Sequence, residues 1–203
     1  MNYGQFRDQV LKILNQYSIA GNRVLSTYNN QQDYLSRIPG FLNDAMMEIA
    51  TTAKKIPVVV ALSSLMSEEI GDQIRYYLPD DFYQFRTGGI VRLRDGELVH
   101  TNSYCTQGRQ YLLVPKDDAD SYEVSYYRYP ALVPDPVTDD AELDNTPETH
   151  YAAAFYVAAH LAAHDDMELS GMLHNAYEDK LAKMSPGVHA EVHAVSDAYR
   201  FFG

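Results

Sequence analysis

The 203-residue chain has one cysteine, Cys105, and no tryptophan. A lone thiol cannot close an internal disulfide, so the fold does not rely on an oxidising compartment. No run approaches the ~20 apolar residues that a bilayer span requires. The opening Met1-Asn2-Tyr3-Gly4-Gln5-Phe6-Arg7-Asp8 lacks the apolar core of a signal peptide. The expectation is a soluble protein made in the cytoplasm. Positive charge is missing over a long stretch as well. From Tyr129 to Asp179 there is no Lys or Arg, while Asp135, Asp139, Asp140, Glu142, Asp144, Glu148, Asp165, Asp166, Glu168, Glu178 and Asp179 all fall there. These eleven acids account for −11 of the net −12, so the rest of the chain nearly cancels. A like-charged block of this kind repels phosphate and argues against adhesive nucleic-acid binding. It suits a surface past which DNA slides without sticking. A solvated face that keeps the protein soluble is the plainer alternative.

Hydrophobic residues make up 46% and charged residues 22%, which is ordinary globular usage and excludes a disordered chain. Tyrosine is abundant, 17 against 7 Phe. It combines large contact area with a polar tip and suits half-wet surfaces between subunits. Compositional drift within a β-rich segment would produce the same excess.

Helical spacing opens the chain. Phe6, Val10, Ile13, Leu14 and Tyr17 form one apolar face, predicting a helix from about Tyr3 to Tyr17. After a polar loop, Asp33 is placed to N-cap a second helix with the face Leu35, Ile38, Leu42, Ala45, Met46, Ile49 and Ala53. Pro39-Gly40 either kinks that helix or marks its true start. From Ile56 the period changes, and Val58–Val60, Ile74–Leu78, Ile90–Leu93, Leu98–His100, Tyr111–Val114 and Tyr122–Tyr127 are candidate strands. Arg94-Asp95-Gly96-Glu97 is a hairpin signal. Pro130 to Thr146 has no periodicity and reads as a loop. Thr146-Pro147-Glu148 starts a third helix through Tyr151, Ala152, Phe155, Tyr156, Ala159 and Ala163. Asp165 or Asp166 caps a fourth, carrying Leu169, Met172, Leu173, Ala176, Tyr177, Leu181 and Met184, which Ser185-Pro186-Gly187 stops. The expected fold class is α+β, mainly helical: two N-terminal and two C-terminal helices packed together, with a small antiparallel β section (about 56–130) inserted between them. Residues 1–187 would form a single domain and 188–203 a C-terminal arm.

Chemistry-bearing patterns are sparse. His160 and His164 lie four apart on a predicted helix, so both rings could reach one metal. The zinc-protease pattern also needs Glu after the first His, and position 161 is Leu. His150 is too far along the helix to complete the site, and His189 with His193 repeat the spacing in a poorly defined tail. The acids Asp135 to Asp144 lack the spacing and the glycine of a calcium loop. Cys105 has no electropositive setting that would make a thiolate. Thr87-Gly88-Gly89 is too short for a phosphate loop and reads as a turn. The expectation is therefore no catalytic residue, no metal and no cofactor. A metal-binding or metal-dependent hydrolase using His160 and His164 is the alternative, and a small regulatory binding module the third reading.

Two segments go further. Tyr76-Tyr77-Leu78-Pro79-Asp80-Asp81-Phe82-Tyr83-Gln84-Phe85 reads as a strand ended by proline, then an Asp-led turn that folds Phe82 and Phe85 onto the core. Asp33-Tyr34-Leu35 leads through Ile38 into Leu42-Asn43-Asp44-Ala45 and Ile49-Ala50. With the closing helical pair, this arrangement resembles phage head–tail adaptor proteins, also called connector or neck proteins, which often carry a Leu-Pro-x-Asp-Phe segment. The likeness covers most of the chain in element order but only about thirty residues in motif. It implies a structural virion protein: a ring of identical subunits, commonly twelve, beneath the portal protein, leaving a DNA passage and meeting a downstream tail or neck protein. It implies no membrane partner and no catalytic residues. Asp139, Asp140, Glu142, Asp165 and Asp166 would then line the passage. Tyr199, Phe201 and Phe202 of the arm would enter a partner's pocket.

Overall fold

Apolar residues at helical spacing and alternating apolar residues occupy separate stretches of the chain, and each kind builds its own core. The computed structural model describes residues 1–17, 28–94, 97–100, 104–116 and 122–184. Within these the order is α1 (Tyr3–Tyr17), α2 (Tyr28–Thr52), β1 (Ile56–Ala61), a 3-10 turn (Leu62–Ser64), β2 (Ser67–Ile70), β3 (Gln73–Tyr77), β4 (Phe82–Arg94), β5 (Glu97–His100), β6 (Cys105–Gln107), β7 (Tyr111–Pro115), β8 (Tyr122–Arg128), α3 (Pro147–Ala162) and α4 (Met167–Met184).

α3 is the axis of the helical part. Ala152, Ala153, Ala154, Val157, Ala158, Ala159, Leu161 and Ala162 are all buried, so nearly its whole circumference is covered. Phe6, Val10, Ile13 and Leu14 of α1, Ile38, Leu42, Ala45, Met46 and Ile49 of α2, and Leu173 and Tyr177 of α4 join it in one core. A helix with a single apolar stripe faces one neighbour, whereas one apolar all round is enclosed. Alanine lets the neighbouring helices approach closely. The expected face of α3 is thereby corrected: Tyr151 is 47% exposed, and Phe155 and Tyr156 sit at the margin of the core. α2 also differs from expectation. It begins at Tyr28 and runs unbroken through Pro39. Asp33 therefore caps nothing. It pairs instead with Arg37 one turn on, at 2.8 Å.

The β part is two four-stranded antiparallel sheets, in the orders β1-β8-β4-β5 and β2-β3-β7-β6. Of the described residues 29% are strand and 46% helical, which overturns the expectation of a mainly helical protein with a small β section. The central strands of the second sheet, β3 and β7, were expected, but its outer strands were hidden because β2 is exposed at every residue and β6 likewise, so neither shows alternation. Inner faces of both sheets share a core of Tyr76, Leu78, Phe82, Ile90, Leu112, Val114, Tyr122, Val124 and Tyr126, with Leu62 from the 3-10 turn. β8 alternates strictly at Tyr122, Val124 and Tyr126.

β4 is longer than its sequence signal because it is bulged. Phe85 faces Tyr126 and Ile90 faces Val124, so three extra residues leave the ladder between them. Gly89 permits this: a Cβ there would lie 2.3 Å from the Ser125 carbonyl oxygen. Thr87-Gly88-Gly89 is thus a bulge within a strand, with Gly88 at φ +65°. Phe82 to Phe85, expected as a turn, is the first part of the same strand. Arg94 pairs with Glu97 as the hairpin signal requires, while Asp95 and Gly96 lie outside the described residues.

Candidate assembly surfaces

The helical core and the β core are joined by the crossing from Tyr129 to Thr146, and a partly buried ion pair organises it. Arg128, the last residue of β8, donates from Nη1 and Nη2 to the Asp144 carboxylate at 2.6 and 2.8 Å. The same carboxylate accepts the backbone N–H of Ala131 at 2.7 Å and of Asn145 at 2.8 Å. Burial alone would raise the Asp144 carboxyl. The four donors outweigh it and hold the group at about 2. Asn43 of α2 brackets the crossing from the other side, exchanging hydrogen bonds with both backbone groups of Val133 at 2.9 and 3.1 Å. The stretch is irregular, as expected, yet closely tied.

Asn145 then takes a left-handed φ of 73°, and Thr146 precedes α3 in the extended N-cap conformation with Pro147 behind it. The helix start is where the sequence placed it. No hydroxyl caps it: Thr146 Oγ1 makes no capping bond, and Thr149 Oγ1 donates to the Thr146 carbonyl at 2.6 Å. His150 is 1% exposed, and its Nε2 donates to the Asp144 carbonyl at 2.7 Å. The ring is neutral with the proton on Nε2, because burial pushes its pKa down. A histidine that the sequence marked only as too far along the helix for a metal site is therefore a buried residue beneath the junction.

The five passage acids do not form one patch. Asp139 receives Arg7 Nη1 at 2.6 Å and its carbonyl accepts the Gly4 N–H, while Glu142 bridges to Asn2 and lies 3.7 Å from the Met1 amino group. Asp140 is exposed, and a hydrogen bond from Thr138 holds its carboxyl below the usual range. This group gathers at the start of α1. Asp165 and Asp166 lie in the turn between α3 and α4, beyond a helix of 16 residues, or about 24 Å. Asp165 accepts the Tyr34 hydroxyl, and Asp166 N-caps α4 through the Leu169 N–H at 3.0 Å. Tyr199, Phe201 and Phe202 lie outside the described residues.

The histidine pair is dispersed in its contacts. His160 Nδ1 sits 2.9 Å from the Tyr156 carbonyl, and its ring stacks on Tyr156 at 4.1 Å. His164 is exposed in the turn. Among the described residues no group of three or more His, Cys, Asp or Glu side chains is placed to hold a metal. Cys105 is exposed in β6. No described helix is long and apolar enough to cross a membrane.

Two concave surfaces were not visible in the sequence. The larger, about 720 Å³, lies where the sheets meet and is lined by Leu65, Met66, Tyr77, Leu78, Phe82 and Tyr111. Leu78, Pro79, Asp80 and Phe82 of the Leu-Pro-x-Asp-Phe segment are part of its lining. The Phe82 N–H closes the turn on the Pro79 carbonyl, and Asp81, not Asp80, accepts the Tyr126 hydroxyl. The smaller, about 420 Å³, is a cleft between the start of α3 and the end of α4, lined by Lys54, Glu148, Tyr151, Lys180, Lys183 and Met184. The signal for either would have required knowing which strands and helices are neighbours.

No curated protein matches the chain. Residues 1–198 match the family described as SU10 adaptor protein, so nearly the whole chain, including both helical pairs and both sheets, is accounted for by one relationship. The chain belongs to the SU10 adaptor protein family, a family of phage head–tail adaptors, and is a phage structural protein.

Proposed function

We propose that this protein is a non-enzymatic component of the virion that forms a ring of identical subunits, commonly twelve in such adaptors, beneath the portal protein. It would join the head to a downstream tail or neck protein and leave a central passage for DNA. One observation carries the reading: the family match spans residues 1–198, so it rests on the whole architecture and not on a single motif. The cleft and the groove between the sheets provide separate surfaces for separate partners.

In this reading residues 1–187 act as one body, with the Arg128–Asp144 pair fixing the sheets to the helices. Asp139, Asp140 and Glu142 present carboxylates to the passage, with Asp165 and Asp166 as further candidates at the far end of α3. A negative wall repels the phosphate backbone and keeps DNA from adhering as it moves. Residues 188–203 form an arm whose Tyr199, Phe201 and Phe202 enter pockets of the portal or of a neighbouring subunit, as aromatic anchors do at interface hot spots.

The test is reconstitution. DNA-filled heads produced without this protein are incubated with the purified chain and then with tails. The expected result is a collar of density below the portal and recovery of tail attachment. Folded protein that leaves the heads bare ends the proposal.

A further inference from the structure

The α3–α4 hairpin has an acidic turn, whereas the cleft at its open end is lined by three lysines and one acid. Its helices run antiparallel, as the contacts of Tyr156 with Tyr177 and of Phe155 with Lys180 require. At the turn, Asp165, Asp166 and Glu168 surround Met167, which is 82% exposed, and Met172 five residues further on is 50% exposed. At the open end, Lys54, Lys180 and Lys183 border the cleft, with Glu148 the one acid among its lining residues and the exposed face of Tyr151 beside Met184. Lys180 lies over the Phe155 ring at 4.9 Å, and Lys54 reaches Glu148 only at 3.9 Å. Lys183 makes no ion pair among the described residues.

From this we infer that the cleft receives the α3–α4 turn of a second copy of the chain, head to tail. The inference rests on the ring reading above and specifies its subunit contact. The two surfaces are complementary in charge, acid against lysine, and in apolar character, Met167 and Met172 against Tyr151 and Met184. They also differ from one another, so the contact is heterologous and repeats, which a closed ring needs and a two-fold dimer does not. The contact claims Asp165 and Asp166 for the subunit interface and leaves Asp139, Asp140 and Glu142 for the passage wall. A large exposed methionine at the first position of a helix, ringed by acids, gains nothing in an isolated subunit. In a cleft it becomes an adaptable apolar plug.

Cross-linking separates this contact from others. Glu148→Cys and Met167→Cys are combined in a Cys105→Ser background, and a short bismaleimide is applied to the protein assembled on portal-bearing heads. Within one chain the two positions lie at opposite ends of a helix about 24 Å long, beyond the reach of a short linker. The expected product is a ladder of dimers, trimers and higher species, absent from either single-cysteine chain. Lys180→Glu/Lys183→Glu and Asp165→Lys/Glu168→Lys should each reduce the ladder at least tenfold, and the two sets together should restore it. Circular-dichroism melts of each variant confirm that the subunit is folded. Assembly on heads without any ladder overturns the contact and leaves the ring reading standing. Failure of the unaltered chain to assemble on heads overturns both.

Discussion

Arg128 and Asp144 meet side by side, with two nitrogens of one guanidinium on two oxygens of one carboxylate, at the place where the last strand gives way to the third helix. The side chains are 22% and 16% exposed, so water does little to screen them. Removing one partner leaves the other charge partly buried without its counter-ion and costs more than the net worth of the pair. Arg128→Ala should therefore lower unfolding free energy by about 3 kcal/mol. Arg128→Lys should recover little of this, because an ammonium cannot match the carboxylate in fork geometry. Urea denaturation of both variants checks it. A loss for Arg128→Ala below about 1 kcal/mol would make the pair a surface contact.

The same carboxylate sets an acid limit. Asp144 has a folded pKa of about 2, below its ordinary value of 3.8. A depressed carboxylate contributes stability that is complete above the unfolded value and is lost as pH falls toward the folded one. The window is thus about pH 4 down to pH 2, and the amount about 2 kcal/mol. Asp144→Asn should flatten the stability–pH curve in that window while lying below the unaltered protein at pH 7.

His150 works in a higher window with the same sign. Its folded pKa lies below the ordinary 6.5, so the unfolded chain takes up a proton that the buried ring refuses. Stability should be full above about pH 7 and decline as pH drops through 6.5. Melting temperature measured at pH 7.5 and pH 5.5 should fall, and the fall should shrink in His150→Gln. An equal decline in both proteins would assign the effect to other groups.

Phe82 is 6% exposed and contacts both Phe85 and Tyr126, with ring centroids 4.7 and 5.3 Å away. Truncating it to alanine should cost about 3–5 kcal/mol. Asp80 is exposed, and the turn's side-chain bond comes from Asp81. Asp80→Ala should therefore change stability by less than ~0.5 kcal/mol. Similar losses for the two variants would remove Phe82 from the core.

Ala158 is completely buried on the central helix. Ala158→Leu must push a neighbouring helix outward and should cost about 1–3 kcal/mol or more. Tyr151→Ala on the same helix changes a half-exposed residue and should leave the melting temperature nearly unchanged. Thermal melts of the pair test whether α3 is enclosed.

Deleting residues 188–203 should leave the domain folded, with little loss of melting temperature, and abolish joining to portal-bearing heads. A truncated chain that aggregates while the full chain is a stable monomer would place the arm in the core.

The sequence alone determined most elements whose burial is one-sided. α1, the inner face of α2 and strands such as β8 show a clean period because one face of each is wet. Repulsion among the acids, the single cysteine and the Leu78-to-Phe82 motif were equally plain, and the motif led to the family. Tertiary structure decided what depends on neighbours. α3 is covered on most of its circumference and leaves no broad wet face to mark its orientation, so its alanines became the core and its aromatics the margin. β2 and β6 are exposed throughout and owe their strand form to β3 and β7. The bulge that extends β4 exists because Gly89 passes against Ser125, which is 36 residues further along the chain. Asp144 looked like one acid among eleven, and only its approach to Arg128 made it the tie between two cores. Periodicity records how a segment meets water; which segment it meets instead is a long-range fact that no local pattern carries.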